Sequence, residues 1–361
     1  MLIPRSKITI TKYDNTLPPT AVYVEGSGEQ YIIDFVTEIE IEESFESRTN
    51  TCKITFPRAL NFEGKQLFHG DKPLFERGDR VLIEWGYYPN MREIFNGWIA
   101  NISAKIPVEI ICENDMFLLK NTVVTYPDAS KVNYSYVSRK KGSQRRVKKP
   151  HVISPQVTLY ELLDAILPDD ILFSCIDMNL GMFRATKASI AKILDVLQDK
   201  YGLYSRFGND RKLYVGFQSD ASDTNTEEFE FERNIIDDAD LEFQRAEDVS
   251  LKVVVVSIDT NDVKTEVEVG DTDGPQRTFH VYNMKLDDMR AMAELKLTES
   301  KYTGYTGSFE TFGEPYVKPG DIAKLVSKKL PERNGSYIIP SVKRTFGMNG
   351  SKQRIQINHE A

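Results

Sequence analysis

An internal repeat constrains this chain more than any other feature. Lys72-Pro73-Leu74-Phe75-Glu76-Arg77-Gly78-Asp79 is echoed by Glu314-Pro315-Tyr316-Val317-Lys318-Pro319-Gly320-Asp321. The first Gly-Asp opens the apolar run Val81-Leu82-Ile83-Glu84-Trp85, and the second opens Ile322-Ala323-Lys324-Leu325-Val326. A polar loop and a Gly-aromatic strand start follow each time: Phe95-Asn96-Gly97-Trp98-Ile99 and Asn334-Gly335-Ser336-Tyr337-Ile338. A closing alternating strand ends each unit, Val108 to Cys112 and Arg354 to Asn358. Glycine before a strand supplies the backbone angles of a tight reversal, and Asn-Gly is a hairpin signal. Their shared order predicts one β unit copied at both ends of the chain, with helices between. On this reading the ends, about Tyr31 to Thr122 and Asp240 to Ala361, fold as superposable β-barrels, and Trp98 and Tyr337 hold equivalent core positions. Three copies of such a chain would set six similar units around a ring.

Period-two alternation supports strands at both ends. Ile39 and Ile41 stand between Glu38, Glu40 and Glu42, and Ile355 and Ile357 alternate with Arg354, Gln356 and Asn358. The continuous run Val253 to Val256 predicts a strand buried on both faces. Val267 and Val269, followed by Gly270-Asp271-Thr272-Asp273-Gly274-Pro275 and then Phe279 and Val281, read as a hairpin. Helices fall in the middle and late parts of the chain. Thr158-Leu159-Tyr160-Glu161 is a capping box ahead of Leu162, Leu163, Ile166 and Leu167, with Pro168 as the stop. Ser189 opens a second helix with Ile190, Ile193, Leu194, Leu197 and Tyr201 on one face, ended by Gly202. A third spans about Asp287 to Thr298, with Met289, Met292 and Leu295 as its core stripe.

The chain has 361 residues, enough for two or three domains, and a formal net charge of −8. An acidic balance argues against a surface built to grip nucleic acid. One stretch departs from it. Arg139, Lys140, Lys141, Arg145, Arg146, Lys148 and Lys149 place seven cations in eleven residues before Pro150. Such a block predicts a solvated loop or disordered excursion, with docking onto an acidic partner as the functional reading and nucleic-acid contact as the lesser one. Tyr134 and Tyr136 lie upstream and do not interleave with the charges along the chain. No stretch suits a membrane helix and the start has no apolar signal core, so synthesis in a cytoplasm is expected. Cys52, Cys112 and Cys175 form no CxxC pair and read as buried thiols.

Catalytic and metal signatures are missing from the sequence. His69, His151, His280 and His359 belong to no metal-binding pattern. Asp271-Thr272-Asp273-Gly274 opens like a calcium loop but lacks the downstream glutamate, so a plain turn is expected. Asp169-Asp170 and Asp237-Asp238 are sequence neighbours whose side chains diverge, which suits acid/base work poorly. No catalytic, cofactor or metal residue is assigned, and the chain is read as not an enzyme.

Several segments in order resemble the tail hub family: the late control D proteins of contractile phages and the N-terminal half of VgrG in type VI secretion. Ile94-Phe95-Asn96-Gly97-Trp98-Ile99 with Val108-Glu109-Ile110-Ile111-Cys112-Glu113-Asn114-Asp115 is similar to the family's aromatic-Gly-aromatic strand paired with a strand ending in Asp. Ser189 to Tyr204 and Arg211-Lys212-Leu213-Tyr214-Val215-Gly216 are similar to its helix, Tyr-Gly turn and short strand. Ala293-Glu294-Leu295, Tyr302-Thr303-Gly304, Gly307-Ser308-Phe309, Pro319-Gly320-Asp321 and Asn334-Gly335-Ser336-Tyr337-Ile338-Ile339 follow in the family's order. The resemblance implies a mainly β fold with some α (α+β): a first tail-tube-like β-barrel over 1–122, a middle α+β region with the basic loop over 123–239, and a second barrel over 240–361. It implies a homotrimeric baseplate hub between the sixfold tail tube protein and a threefold central spike protein, with baseplate wedge proteins as neighbours. DNA would pass the lumen without stable binding, and no cofactor is implied. The chain stops at Ala361 without a β-helix tail, so the spike is expected to be a separate protein, unlike VgrG. The basic loop is expected to face acidic baseplate or spike surfaces in the tail baseplate of a virion or injection system. The rival readings are a tail-associated cell-wall-degrading enzyme and a distal-tail or receptor-binding adaptor.

Overall fold

The computed structural model describes residues 4–12, 29–45, 47–57, 61–62, 65–66, 74–87, 90–103, 106–127, 133–138, 144–149, 157–208, 211–216, 225–258, 263–282 and 284–358. Lys72, Pro73, Arg139, Lys140, Lys141, His69, His151 and His359 lie outside them. The fold is mainly β, with four α-helices among the described residues.

The N-terminal unit holds β1 (Pro4–Thr11), β2 (Gln30–Ile33), β3 (Glu38–Ser44), β4 (Thr51–Phe56), β5 (Arg80–Tyr87), β6 (Asn90–Ile102) and β7 (Val108–Glu113), then α1 (Met116–Asn121). The middle carries a strand pair, β8 (Asn133–Ser138) and β9 (Gln144–Lys149), then α2 (Leu159–Ile166) and α3 (Ile190–Tyr201). The C-terminal part holds β10 (Thr226–Glu230), β11 (Ile235–Asp237), β12 (Leu241–Gln244), β13 (Lys252–Ile258), β14 (Lys264–Gly270), β15 (Gln276–Tyr282) and α4 (Leu286–Ser300). It ends with β16 (Gly304–Phe312), β17 (Ile322–Val326), β18 (Gly335–Ile338), β19 (Ser341–Gly347) and β20 (Gly350–Ile357).

One sheet crosses both ends of the chain, in the order β2-β1-β5-β6-β7-β4-β3-β19-β20-β16-β11, with β12 also on β16. Its path through the described residues is open, with no closed ring of strands. The alternation read from sequence sets its faces: Ile39, Ile41, Ile355 and Ile357 are buried. The N-terminal core gathers Ile8, Ile10, Ile54, Phe75, Val81, Ile83 and Ile110. The C-terminal core gathers Phe229, Phe309, Leu325, Tyr337, Ile339 and Ile355. Each fully buried aliphatic side chain contributes about 1.5–3 kcal/mol.

The middle core is built by the two helices expected from their caps. Thr158 and Glu161 form a reciprocal capping box on α2. The Ser189 hydroxyl accepts from the Lys192 amide at 3.3 Å, and Gly202 ends α3 at φ +66°.

Two expectations are corrected in the fourth core, formed by β13, β14, β15 and α4. β14 and β15 do not pair as a hairpin. β13 lies between them, antiparallel to β14 and parallel to β15. Val253 to Val256 is buried on both faces, so this strand takes the centre and both its edges. On α4, Met289 and Ala293 are buried but Leu295 is 51% exposed. Six residues are about one and two-thirds helical turns, which carries Leu295 off the face of Met289.

Candidate assembly surface

The two Gly-Asp turns have one geometry. Gly78 and Gly320 share φ +98°, in the left-handed region that favours glycine. The Gly78 amide donates to the Ile99 carbonyl at 2.8 Å, and the Gly320 amide to Ile339 at 2.8 Å. The Ile99 amide returns to the Asp79 carbonyl at 2.8 Å, and that of Ile339 to Asp321 at 3.0 Å. Each aspartate closes its own turn: Asp79 Oδ2 accepts from the Glu76 amide at 2.8 Å, and Asp321 Oδ2 from the Lys318 amide at 2.9 Å. Both aspartates are buried, so the turn amides supply the hydrogen bonds their burial demands. Val81 and Ile83, two and four residues past Asp79, match Ala323 and Leu325 past Asp321, and all four are fully buried.

The aromatic positions are not equivalent, which corrects the sequence reading. The ladders pair Arg80 with Trp98 and Ile322 with Ile338. Measured from the turns, Trp98 therefore matches Ile338, and Tyr337 matches Gly97. One residue of offset reverses the face of a strand. Tyr337 enters the C-terminal core, where its hydroxyl accepts from the Tyr305 amide at 3.0 Å. Trp98 points the other way, against Phe117 and Leu118 of α1. Its Nε1 donates to Asp115 Oδ1 at 2.9 Å. Arg211, at φ +59°, clamps the same carboxylate through Nε at 2.8 Å and Nη2 at 3.0 Å. Asp115 thus ties the middle unit to the N-terminal one.

The two end units are joined by β3 and β19, paired antiparallel from Ser44–Ser341 to Glu38–Gly347. Arg344 of β19, 2% exposed, pairs with Glu43 of β3 and donates to the Val317 carbonyl. Its guanidinium carbon lies 4.5 Å from the centroid of the Tyr316 ring, and that of Arg92 also lies 4.5 Å from it. Burial pushes the Tyr316 phenol up, and the charge of Arg344 opposes that shift. This joint could not be read from sequence, because Glu43 and Arg344 are 301 positions apart.

The seven cations nominated for docking divide. Arg139, Lys140 and Lys141 lie outside the described residues. Arg145, Arg146, Lys148 and Lys149 lie on β9, which pairs only with β8 among the described strands. This half of the block is thus a strand and not a loop. Charge alone does not forbid a ladder, because backbone groups do the pairing. The register sets Tyr134 opposite Lys148 and Tyr136 opposite Arg146.

Chemistry is sparse elsewhere. Asp271 lies in a turn, as expected: its carbonyl accepts from the Gly274 amide at 3.2 Å, and its Oδ2 ties the turn to its surroundings by accepting from Lys301 Nζ at 2.8 Å and from the Leu251 amide at 3.2 Å. These contacts hold its carboxyl below the usual aspartate value. Cys52 and Cys112, distant in sequence, face each other in register on β4 and β7. Burial pushes both thiols up, and Cys175 is half-buried. Among the described residues no group of three or more His, Cys, Asp or Glu side chains is placed to hold a metal, and no helix is long and apolar enough to cross a membrane.

No family profile matches this sequence, and no curated protein matches it. Solved structures do. A tail protein from Neisseria meningitidis MC58 is 11% identical, with 99% of this chain and 96% of that one covered at a TM-score of 0.59. The 43 kDa tail protein of prophage MuSo2 from Shewanella oneidensis is 11% identical, with 91% and 94% covered at 0.55. The chain has the fold of phage tail and VgrG proteins. The VgrG likeness is to the lidded Francisella PdpA-VgrG complex, 12% identical at a TM-score of 0.51, where 99% of this chain spans 53% of the other. The tail-protein fold therefore extends over both Gly-Asp units and the middle between them.

Proposed function

We propose that this chain is a structural baseplate hub: three copies form a ring that joins a sixfold tail tube to a threefold central spike in a contractile phage tail or a related injection system. The observation that carries the reading is the duplication. Two turns with the same φ and the same hydrogen bonds sit at opposite ends of one chain whose fold is that of tail proteins. A chain with two like units meets a hexameric tube with three copies. In this reading residues 1–122 and 240–361 are tube-like β-barrels, each completed by strands of its neighbours, and 123–239 is the middle α+β region. The β3·β19 joint is the inside version of a contact that recurs between protomers, since closed rings need large repeated interfaces.

The partners are the tail tube protein, a central spike and the baseplate wedge. The role is mechanical, without a catalytic step or cofactor. The basic segment, Arg139 to Lys149, is an arm that docks on an acidic protein surface outside the lumen, and DNA passes the lumen without stable binding. Native mass spectrometry of the purified chain tests the reading. A trimer supports it, whereas a stable monomer at high concentration would sink it. Hydrolysis of purified peptidoglycan by the same sample would favour a cell-wall enzyme instead.

A further inference from the structure

The two Gly-Asp units diverge one residue after their shared geometry ends. In each, the strand before the hairpin leaves its partner at the aspartate: β5 and β6 part at Asp79–Ile99, and β17 and β18 at Asp321–Ile339. In the C-terminal unit the next carbonyl, Pro340, accepts the Phe45 amide at 3.0 Å, which extends the β3·β19 ladder by one rung. The matching carbonyl in the N-terminal unit is Ala100. No described strand pairs with that side of β6 beyond Ile99. The Ala100 carbonyl accepts Arg77 Nε at 3.1 Å instead. Arg77 precedes Gly78 in the position that Pro319, which has no side-chain donor, holds before Gly320. Its Nη2 also donates to Asn121 Oδ1 at 3.1 Å, and its guanidinium lies 5.0 Å from the centroid of the Phe117 ring. Arg77 is exposed, so it can leave without unpacking a core.

We propose that the Ala100–Ile102 edge of β6 is a docking site for a strand of a second copy of this chain, and that Arg77 is its removable cap. The occupant is the β11–β12 edge. β3 flanks β4, which flanks β7. In the same way β12 flanks β16, which flanks β20. β3 is thus the counterpart of β12, and β3 already fills the docking position on β19 within the chain. β11 and β12 end the sheet with no further described strand outside them. Each copy then has one joint filled internally, one open docking edge and one open strand, which is the head-to-tail arrangement that closes a ring. An arginine on an exposed strand edge blocks indiscriminate pairing until the correct strand displaces it.

This inference rests on the ring reading above, and the experiment separates the two. Full-length wild type, Arg77→Ala and Arg77→Lys are followed by sedimentation velocity over a concentration series at fixed salt. Loss of the competing hydrogen bond in Arg77→Ala should lower the concentration for half-assembly about threefold to tenfold, with Arg77→Lys between. An unchanged or raised midpoint in Arg77→Ala overturns the cap; a raised one makes Arg77 a docking contact. Hydrogen exchange on assembled wild type should show new protection at amides 100–102, and assembly without it overturns the docking edge. If wild type and both variants stay monomeric throughout, the ring reading fails and the cap falls with it.

Discussion

The N-terminal and C-terminal units share a turn and a strand order, β3-β4-β7 in one and β12-β16-β20 in the other, and differ in the outer strand, the second partner of the aspartate and the face of the aromatic ring. Outside β5 lies β1, antiparallel; outside β17 lies β10, parallel. Asp79 takes a second partner in Lys12 at 3.5 Å, whereas the spare oxygen of Asp321 accepts the Asn225 amide at 3.1 Å. The ring that follows the turn enters the core in one unit and packs outside it in the other. A Gly-Asp turn is fixed by a few backbone bonds and survives any change beyond them. The outer strand and the aromatic face depend on hairpin length and chain connectivity, which can drift while the turn stays.

Several substitutions test how far the two units differ. The largest effect is expected at the joint between the units. Arg344→Ala leaves Glu43 buried beside an empty site and should cost about 3–5 kcal/mol in denaturant unfolding, while Arg344→Met with Glu43→Gln recovers part of it. If the single variant costs under about 1 kcal/mol, the buried pair does not hold the units together. Next come the two rings. Tyr337→Ala should cost about 3–5 kcal/mol by opening a core cavity. Trp98→Ala should cost about 2–3 kcal/mol and loosen the loop carrying Arg211, read by hydrogen exchange. Equal costs with no loosening near Arg211 would argue that the rings are equivalent after all.

The turns themselves should respond nearly alike. Gly78→Ala and Gly320→Ala each place a side chain at φ +98° and should cost about 1–2 kcal/mol. A difference of more than about 1 kcal/mol between them would mean that the turns are not copies. The smallest effect is at Asp271, far from both turns. Its carboxyl titrates below its ordinary 3.8 in the folded state. Its contribution is therefore complete above that value and fades as pH falls through it toward the folded pKa. Asp271→Asn should lower stability slightly at neutral pH, where the carboxylate makes its full contribution, and should flatten a small part of the acid-side slope.

What was legible in the sequence follows the same division. The Gly-Asp turns could be read because glycine and aspartate carry the geometry locally. The helix caps at Thr158 and Ser189 could be read for the same reason. The offset between Trp98 and Tyr337 could not, since it depends on where β6 and β18 register against their partners. The turn at Gly270 to Pro275 announced a reversal but not which strands would pair across it. β13 took the central place because both its faces are apolar, a signal present in the sequence at Val253 to Val256. In the candidate surface, Glu43 with Arg344 and Asp115 with Arg211 were illegible: each pair is made by the fold, from residues with nothing in their local sequence to link them. Arg77 was in view within the repeat, and its mismatch with Pro319 was the available clue.

In the proposed hub, one chain carries two tube-like units so that three copies present six. Single-particle imaging of the purified protein is the decisive experiment. The account predicts a threefold ring with a central opening and six similar density lobes at about equal spacing, alternating between N-terminal and C-terminal units. A monomer, or a closed assembly whose symmetry is not threefold, would contradict it.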